Sequence, residues 1–281
     1  MAIFNIYYSS GFYFILLFFL GTINGLAGQG NCLIYPEDSG ERIACELSHR
    51  AVTCPQGSRE SQVLFDAAIR IGPNYAWAYY EKSVPFFKRG LLAEGVRLIN
   101  KAIELEPRNY LYYRAYWYFY NRSYALCIRD LEELYSVHNA SYVFTPSGEL
   151  EMRLLLALAY AQTGAIAKGI EWIRHMMDSY REQPALKGYY DHFCLGLLYY
   201  ENGQLALAQA ELEQQLTVSE QFADTYYYLG LVHQQLGNPD VAIAYFRQAV
   251  AAFKGEDGGY SVNFFADFNT YLEDVERALL G

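Results

Sequence analysis

Apolar residues recur at spacings of three and four from Leu64 to Phe253, interrupted at regular intervals by glycine or proline. This is the pattern of consecutive amphipathic helices. It also repeats at longer range. Leu64, Ala68, Ile69 and Pro73 are matched 34 positions later by Leu98, Ala102, Ile103 and Pro107. Leu195, Gly196 and Gly203 recur at the same distance as Leu229, Gly230 and Gly237. A period of this length marks helical hairpins that must stack, because each leaves an apolar face uncovered. The spacing predicts five full pairs near 75–105, 108–135, 149–181, 186–218 and 222–253. A leading helix is expected over 58–71, with its partner over 41–51. Asn263 to Leu280 is amphipathic through Phe264, Phe268, Tyr271, Leu272, Val275 and Leu279, and is expected to cap the far end.

His192-x2-Leu195-Gly196-x2-Tyr199 with Ala208-x3-Leu212, and Tyr226-x2-Leu229-Gly230-x2-His233 with Ala242-x3-Phe246, resemble the two helices of the tetratricopeptide repeat. Tyr79-x2-Lys82-Ser83-x2-Phe86 and Arg153-x2-Leu156-Ala157-x2-Tyr160 give two further units, and Arg114-Ala115-x2-Tyr118 an irregular one. The resemblance implies an all-α, right-handed α-solenoid of helix–turn–helix repeats over 58–256, ending in a capping helix within 257–281. Gly196, Gly230, Ala157, Ala115 and Ser83 would then be small because paired helices cross closely there. Gly90, Gly164, Gly203 and Gly237 would sit at the turns, where a positive φ costs glycine little. Tyr160, Tyr199, Phe86 and Tyr118 would fill the gap to the next helix.

The resemblance further implies that ligands bind the concave face lined by the first helices. Opposite the packing stripe stand Trp77, Tyr80, Val84 and Phe87, then Tyr112, Tyr116, Phe119 and Tyr120. The fourth unit offers Tyr190, Phe193, Leu197 and Tyr200, and the fifth Tyr227 and Leu231 beside Asp224, Gln234 and Gln235. The third unit, with Leu154, Leu158 and Ala161, is aliphatic. Trp77, Tyr80, Phe87, Tyr112, Tyr116, Phe119, Tyr190, Phe193, Tyr200 and Tyr227 are thus the candidate partner-binding groove. Such a face suits a peptide or protein partner anchored by rings. A sugar, or the chain's own segments 28–55 or 136–148, are the other candidate occupants. Some members of the family hold a terminal carboxylate with Lys and Asn side chains. That clamp is missing, because Lys88 is nearly the only base on this face.

Composition sharpens the picture. Of 281 residues 28 are Tyr, and several of these tyrosines fall on the groove positions rather than on the packing stripe. The formal charge of −10 argues against a phosphate backbone as partner. No charged side chain precedes Glu37, and Phe12 to Leu20 is an unbroken apolar run followed by the small residues Gly25 and Ala27. Residues 1–27 therefore read as a signal peptide cleaved after Ala27 or Gly28. An uncleaved anchor over 3–27 and a lipid on Cys32 are the alternatives. Residues 28–57 form a cysteine-containing N-terminal segment. In an oxidising compartment a disulfide among Cys32, Cys45 and Cys54 is expected, with Cys127 and Cys194 as small buried hydrophobes. Zinc fits poorly, since no CxxC occurs and His49 is the only nearby imidazole.

Motifs for phosphate, dinucleotide or hydrolytic chemistry are missing, and His49, His138, His175, His192 and His233 are scattered among the units. Glu132–Glu133 and the Glu149/Glu151 pair are expected on solvent faces. The sequence therefore points to a non-catalytic interaction scaffold without cofactor or metal, exported to the periplasm or cell envelope, with a protein or peptide partner. A glycan-binding module and an envelope assembly factor or chaperone are the other readings.

Overall fold

Ser39 opens the first helix, its hydroxyl accepting from the Arg42 amide at 3.1 Å, and Ser58 opens the second in the same way from Ser61 at 3.1 Å. Each satisfies an amide that the helix itself leaves unpaired. The computed structural model describes residues 30–181, 183, 186–255 and 268–280. The expected leader over 1–27, and the part of the expected cap that holds Asn263 and Phe264, lie outside the described residues. The helices are α1 (Gly40–Thr53), α2 (Arg59–Ile71), α3 (Ala76–Lys88), α4 (Leu92–Leu105), α5 (Pro107–Tyr120), α6 (Tyr124–Glu132), α7 (Met152–Gln162), α8 (Ile166–Ser179), α9 (Asp191–Glu201), α10 (Leu205–Val218), α11 (Ala223–Gln235), α12 (Pro239–Phe253) and α13 (Leu272–Leu279). Consecutive helices pack as six pairs from α1–α2 to α11–α12. The helix over 40–53 is a complete partner for α2, so the stack begins within the cysteine-containing segment.

The turn inside each later pair has one design. Gly90, Gly164, Gly203 and Gly237 take φ between 72° and 80°, and the next amide bonds back to the carbonyl five residues earlier. Those bonds run from Leu91 to Phe86, Ala165 to Tyr160, Gln204 to Tyr199 and Asn238 to His233, at 2.8–2.9 Å. This closes the free carbonyls of the preceding helix. In the α5–α6 turn Arg122 holds the position at φ 56°, with Ser123 bonding to Tyr118 at 2.8 Å.

One core runs from α5 to α11, with Phe119, Leu131, Leu156, Ile173, Phe193, Leu212 and Phe222 sealed from solvent. α13 covers the outer face of α12, where Val275 joins Ala242, Phe246 and Ala249. Phe268 reaches the main core, but Tyr271 is exposed because α13 begins one residue after it. Among the described residues no helix is long and apolar enough to cross a membrane.

The third pair departs from the rest. α6 spans 9 residues and passes into a π-helical turn, Glu133–Val137. Residues 138–151 then fold back on the stack, with the Tyr142 hydroxyl donating to the Ser179 carbonyl at 3.2 Å. Phe144 forms an isolated bridge with Glu151.

Candidate partner-binding face

The first helices of the pairs carry a row of half-buried tyrosines. Tyr80 on α3 leans over α5, with ring centroids 5.2 Å from Tyr110 and 4.9 Å from Tyr113. On α5, Tyr112, Tyr116 and Tyr120 recur every four residues and so share one side of the helix. The rings of Tyr116 and Tyr120 are 4.7 Å apart. Tyr200 on α9 and Tyr227 on α11 hold corresponding places, and the Tyr200 hydroxyl accepts from the Gln235 amide at 2.9 Å. Leu231 is half-buried beside Tyr227, while Gln234 and Gln235 are exposed.

The other candidate groove residues are core. Trp77, Phe87, Phe119, Tyr190 and Phe193 are all buried. The rings of Trp77, Phe87 and Phe193 meet rings on neighbouring first helices, and Phe119 meets the second helix of its own pair. Phe87 stacks on Trp117 at 5.3 Å, and Phe193 is wedged between Phe222 at 4.7 Å and Tyr228 at 5.7 Å. Tyr190 meets Phe222 at 5.4 Å, Trp77 meets His49 at 5.5 Å, and Phe119 meets Tyr124 at 5.6 Å. Val84, Leu154, Leu158, Leu197 and Asp224 are buried too. One side of an α-helix is too narrow for every third and fourth residue to line a groove when a neighbouring helix packs against part of it.

Each surviving tyrosine has a carboxyl group close by. Burial pushes the phenols of Tyr80, Tyr112, Tyr116, Tyr120, Tyr200 and Tyr227 above the ordinary tyrosine value, so they stand as neutral hydroxyls. Nearby negative charge adds to the shift: Glu81 at Tyr80 and Tyr112, Glu149 at Tyr116 and Tyr120, Glu201 at Tyr200, Asp274 at Tyr227. Burial likewise raises the carboxyls of Glu81 and Glu201, with the Lys88 charge opposing the rise at Glu81. Sequence patterning marked the tyrosines but not Glu81, which follows Tyr80 on α3.

Glu151 is not on a solvent face. It caps α7 and is buried, accepting from the Tyr135 hydroxyl at 2.7 Å, the Arg153 amide at 2.8 Å and Arg153 Nε at 3.0 Å. The Arg153 guanidinium lies over the rings of Tyr135 at 5.5 Å and Tyr142 at 5.4 Å. Burial raises the Glu151 carboxyl, with Arg153 and the Tyr135 hydroxyl pulling the other way. Glu132 and Glu133 are half-buried and Glu149 is exposed. The cluster ties 138–151 to the stack.

Cys32 is joined to Cys45 by a disulfide, and Cys54, Cys127 and Cys194 are free, the last two buried. His49 Nδ1 lies 3.6 Å from the Cys32 sulfur, making Cys32, Cys45 and His49 the one metal-ligand grouping among the described residues. Sulfurs tied in a disulfide are not thiolates, so the trio does not suit a metal in this form. His192 pairs with Glu211 at 2.7 Å and the buried His233 stacks on Tyr245 at 5.4 Å, so both are engaged in packing.

The tetratricopeptide-repeat family model matches residues 195–257, which hold most of α9 and all of α10 to α12. Solved structures extend the likeness over most of the chain. PilW, a widely conserved type IV pilus biogenesis factor, aligns with a TM-score of 0.57 at 15% identity, covering 76% of this chain and 96% of that one. Pseudomonas aeruginosa pilF gives 0.52 at 17% identity, covering 78% and 92%. YrrB, a tetratricopeptide-repeat protein with an unusual peptide-binding site, gives 0.52 at 14% identity, covering 69% and 94%. The fold is a tetratricopeptide-repeat solenoid. No curated protein matches the sequence. Within this solenoid the small crossing residues Ala115, Ala157, Gly196 and Gly230 are all buried, and the packing rings Tyr118, Tyr160 and Tyr199 lie beneath the surface. The tyrosine row lies outside these two sets, half-buried at the margins of the cores.

Proposed function

We propose that the chain is a non-catalytic protein-interaction scaffold that holds a partner polypeptide along the tyrosine row of its first helices. The observation that carries this reading is the row itself. Tyr80, Tyr112, Tyr116, Tyr120, Tyr200 and Tyr227 are half-buried, so each keeps part of its side chain at the surface. Tyrosine is a low-entropy anchor that offers both an apolar ring and a hydrogen bond. The reading includes export to the cell envelope. The apolar leader supports it, and the Cys32–Cys45 bond suits an oxidising compartment and leaves Cys32 no thiol to carry a lipid. A role in assembling an envelope structure, as the description of PilW suggests, is one form of the same scaffold.

Affinity capture from envelope extracts of the native host tests this, comparing the wild-type chain with Tyr116→Ala/Tyr227→Ala. Both side chains are half-buried, so helicity by circular dichroism should hold while capture of a defined protein drops by tenfold or more. Undiminished capture by the double variant would refute the groove. Capture of polysaccharide alone would favour the glycan-binding module.

A further inference from the structure

A small cavity lies where α3 passes the turn between α1 and α2. It encloses about 80 Å³, and its walls include Cys54, Ser61, Gln62, Phe65 and Glu81. Glu81 lines this cavity and directly follows Tyr80 of the tyrosine row on α3. Its carboxylate makes no hydrogen bond and no ion pair among the described residues. Lys88, its one cationic influence, donates instead to Gln56 at 2.7 Å. Arg89, one residue on, donates to the Gly57 carbonyl at 3.1 Å. A half-buried carboxylate left without a partner is costly, and proteins usually pair such a group or keep it for a ligand.

We propose that this cavity is a subsite for a cationic side chain, lysine or arginine, of an extended basic segment lying on the tyrosine row. The inference rests on the groove reading above and adds the chemistry of what the groove selects. Glu81 supplies the counter-charge in a partly dry setting, where a charge-assisted hydrogen bond is stronger than in water. Phe65 offers an apolar wall to the methylene stem of the incoming side chain. The Gln62 side-chain amide is buried with its nitrogen unbonded. A half-turn about its terminal torsion would present the oxygen to an incoming ammonium or guanidinium group.

The rest of the face has the same character. Glu149 accompanies Tyr116 and Tyr120, Glu201 accompanies Tyr200, and Asp274 accompanies Tyr227, offset only there by Arg277. The whole chain carries 31 acidic side chains against 21 basic ones. Complementarity of this kind favours a basic partner and repels a terminal carboxylate or an acidic peptide.

The test uses the full chain and a phage-displayed library of linear dodecapeptides, with selected peptides resynthesised and measured by fluorescence polarisation. The expected result is enrichment of at least one Lys or Arg at a fixed position among peptides that require Tyr112 and Tyr116. Replacing that residue by norleucine should weaken binding about tenfold, and so should Glu81→Gln in the protein. Glu81→Gln is isosteric and its helicity is checked by circular dichroism. The norleucine peptide gives an independent reading should that variant fold poorly. Selected peptides that bind the tyrosine row without a basic residue, or equally well with norleucine, would overturn the cationic subsite and leave the groove reading standing. Failure to select any peptide dependent on Tyr112 and Tyr116 would overturn both.

Discussion

Two kinds of glycine hold this stack together for unrelated reasons, and substitution separates them. Gly230 lies inside α11, where an added Cβ would overlap the ring of Phe246 on α12. The helices can cross so closely only because that carbon is missing. Gly203 has φ 72° at the α9–α10 turn, and a Cβ there would meet nothing within 4 Å. Its requirement is purely conformational. Gly203→Ala should therefore cost about 1–2 kcal/mol, the usual penalty for an L-residue in the left-handed region. Gly230→Ala should cost about 2–3 kcal/mol, because a buried ring must move into an already dense core. A compensating Phe246→Leu, which shortens the opposing side chain, should recover part of the second loss and none of the first. Denaturant melts of the four variants check this. Equal losses, or rescue of Gly203→Ala by Phe246→Leu, would contradict the distinction.

At the scale of elements the insertion between α6 and α7 departs most from the regular repeat, and it is held by a charge pair, one member of which, Arg153, stands at the first motif position of its repeat unit. Glu151 and Arg153 are both buried and bonded to each other, with Tyr135, Tyr142, Tyr180 and Asp191 around them. Arg153→Met would keep much of the volume and strand the Glu151 carboxylate, a loss of about 3–5 kcal/mol at neutral pH. The sign of the pH dependence follows. Burial already raises the Glu151 carboxyl above its unfolded value, and loss of Arg153 raises it further. A carboxyl raised in the folded state favours folding below the unfolded value, and this advantage is lost as pH rises through the folded value. The deficit of Arg153→Met should therefore shrink as pH falls from 7.5 to 5, measured as the difference in melts from wild type. A deficit that grows on acidification would contradict the assignment. This element also shows what the sequence could and could not reveal. The repeat period located the helices, the turn glycines and the small crossing residues, because each follows from a local spacing. Arg153 fell on the packing stripe of its unit, but Glu151 matched a helical surface position, and only the return of 138–151 over the stack decides that it is buried. The groove divided on the same ground. Tyr116 and Phe119 are indistinguishable by spacing, and the packing of the adjacent helices separates them.

At the scale of the whole molecule, a solenoid joins each pair mainly to its neighbours, so stability is distributed along it and depends on how the ends are closed. Here the ends differ. At the first pair, the disulfide from Cys32 to Cys45 ties the leading segment to α1. At the last pair, the closure is non-covalent: α13 lays Val275 against Ala242, Phe246 and Ala249, with Lys254 and Glu276 paired at 2.8 Å on the outside. An exposed ion pair of this sort contributes little, so Val275 is the main hold of the cap on α12. Val275→Asp would place a charge in that apolar contact and should free α13 from the stack. The consequence should fall off with distance. Amides of α11 and α12 should lose hydrogen-exchange protection, those of α9 and α10 less, and those of α3 and α4 least, because their buried residues form a cluster separate from that of α12 and α13. Tyr227 would become mobile with α11 while Tyr80 and Tyr112 kept their places, so a partner held along the whole row should bind more weakly yet still depend on Glu81. Uniform loss of protection along the chain would mean that the stack unfolds as one unit, and that both ends of the tyrosine row form or vanish together.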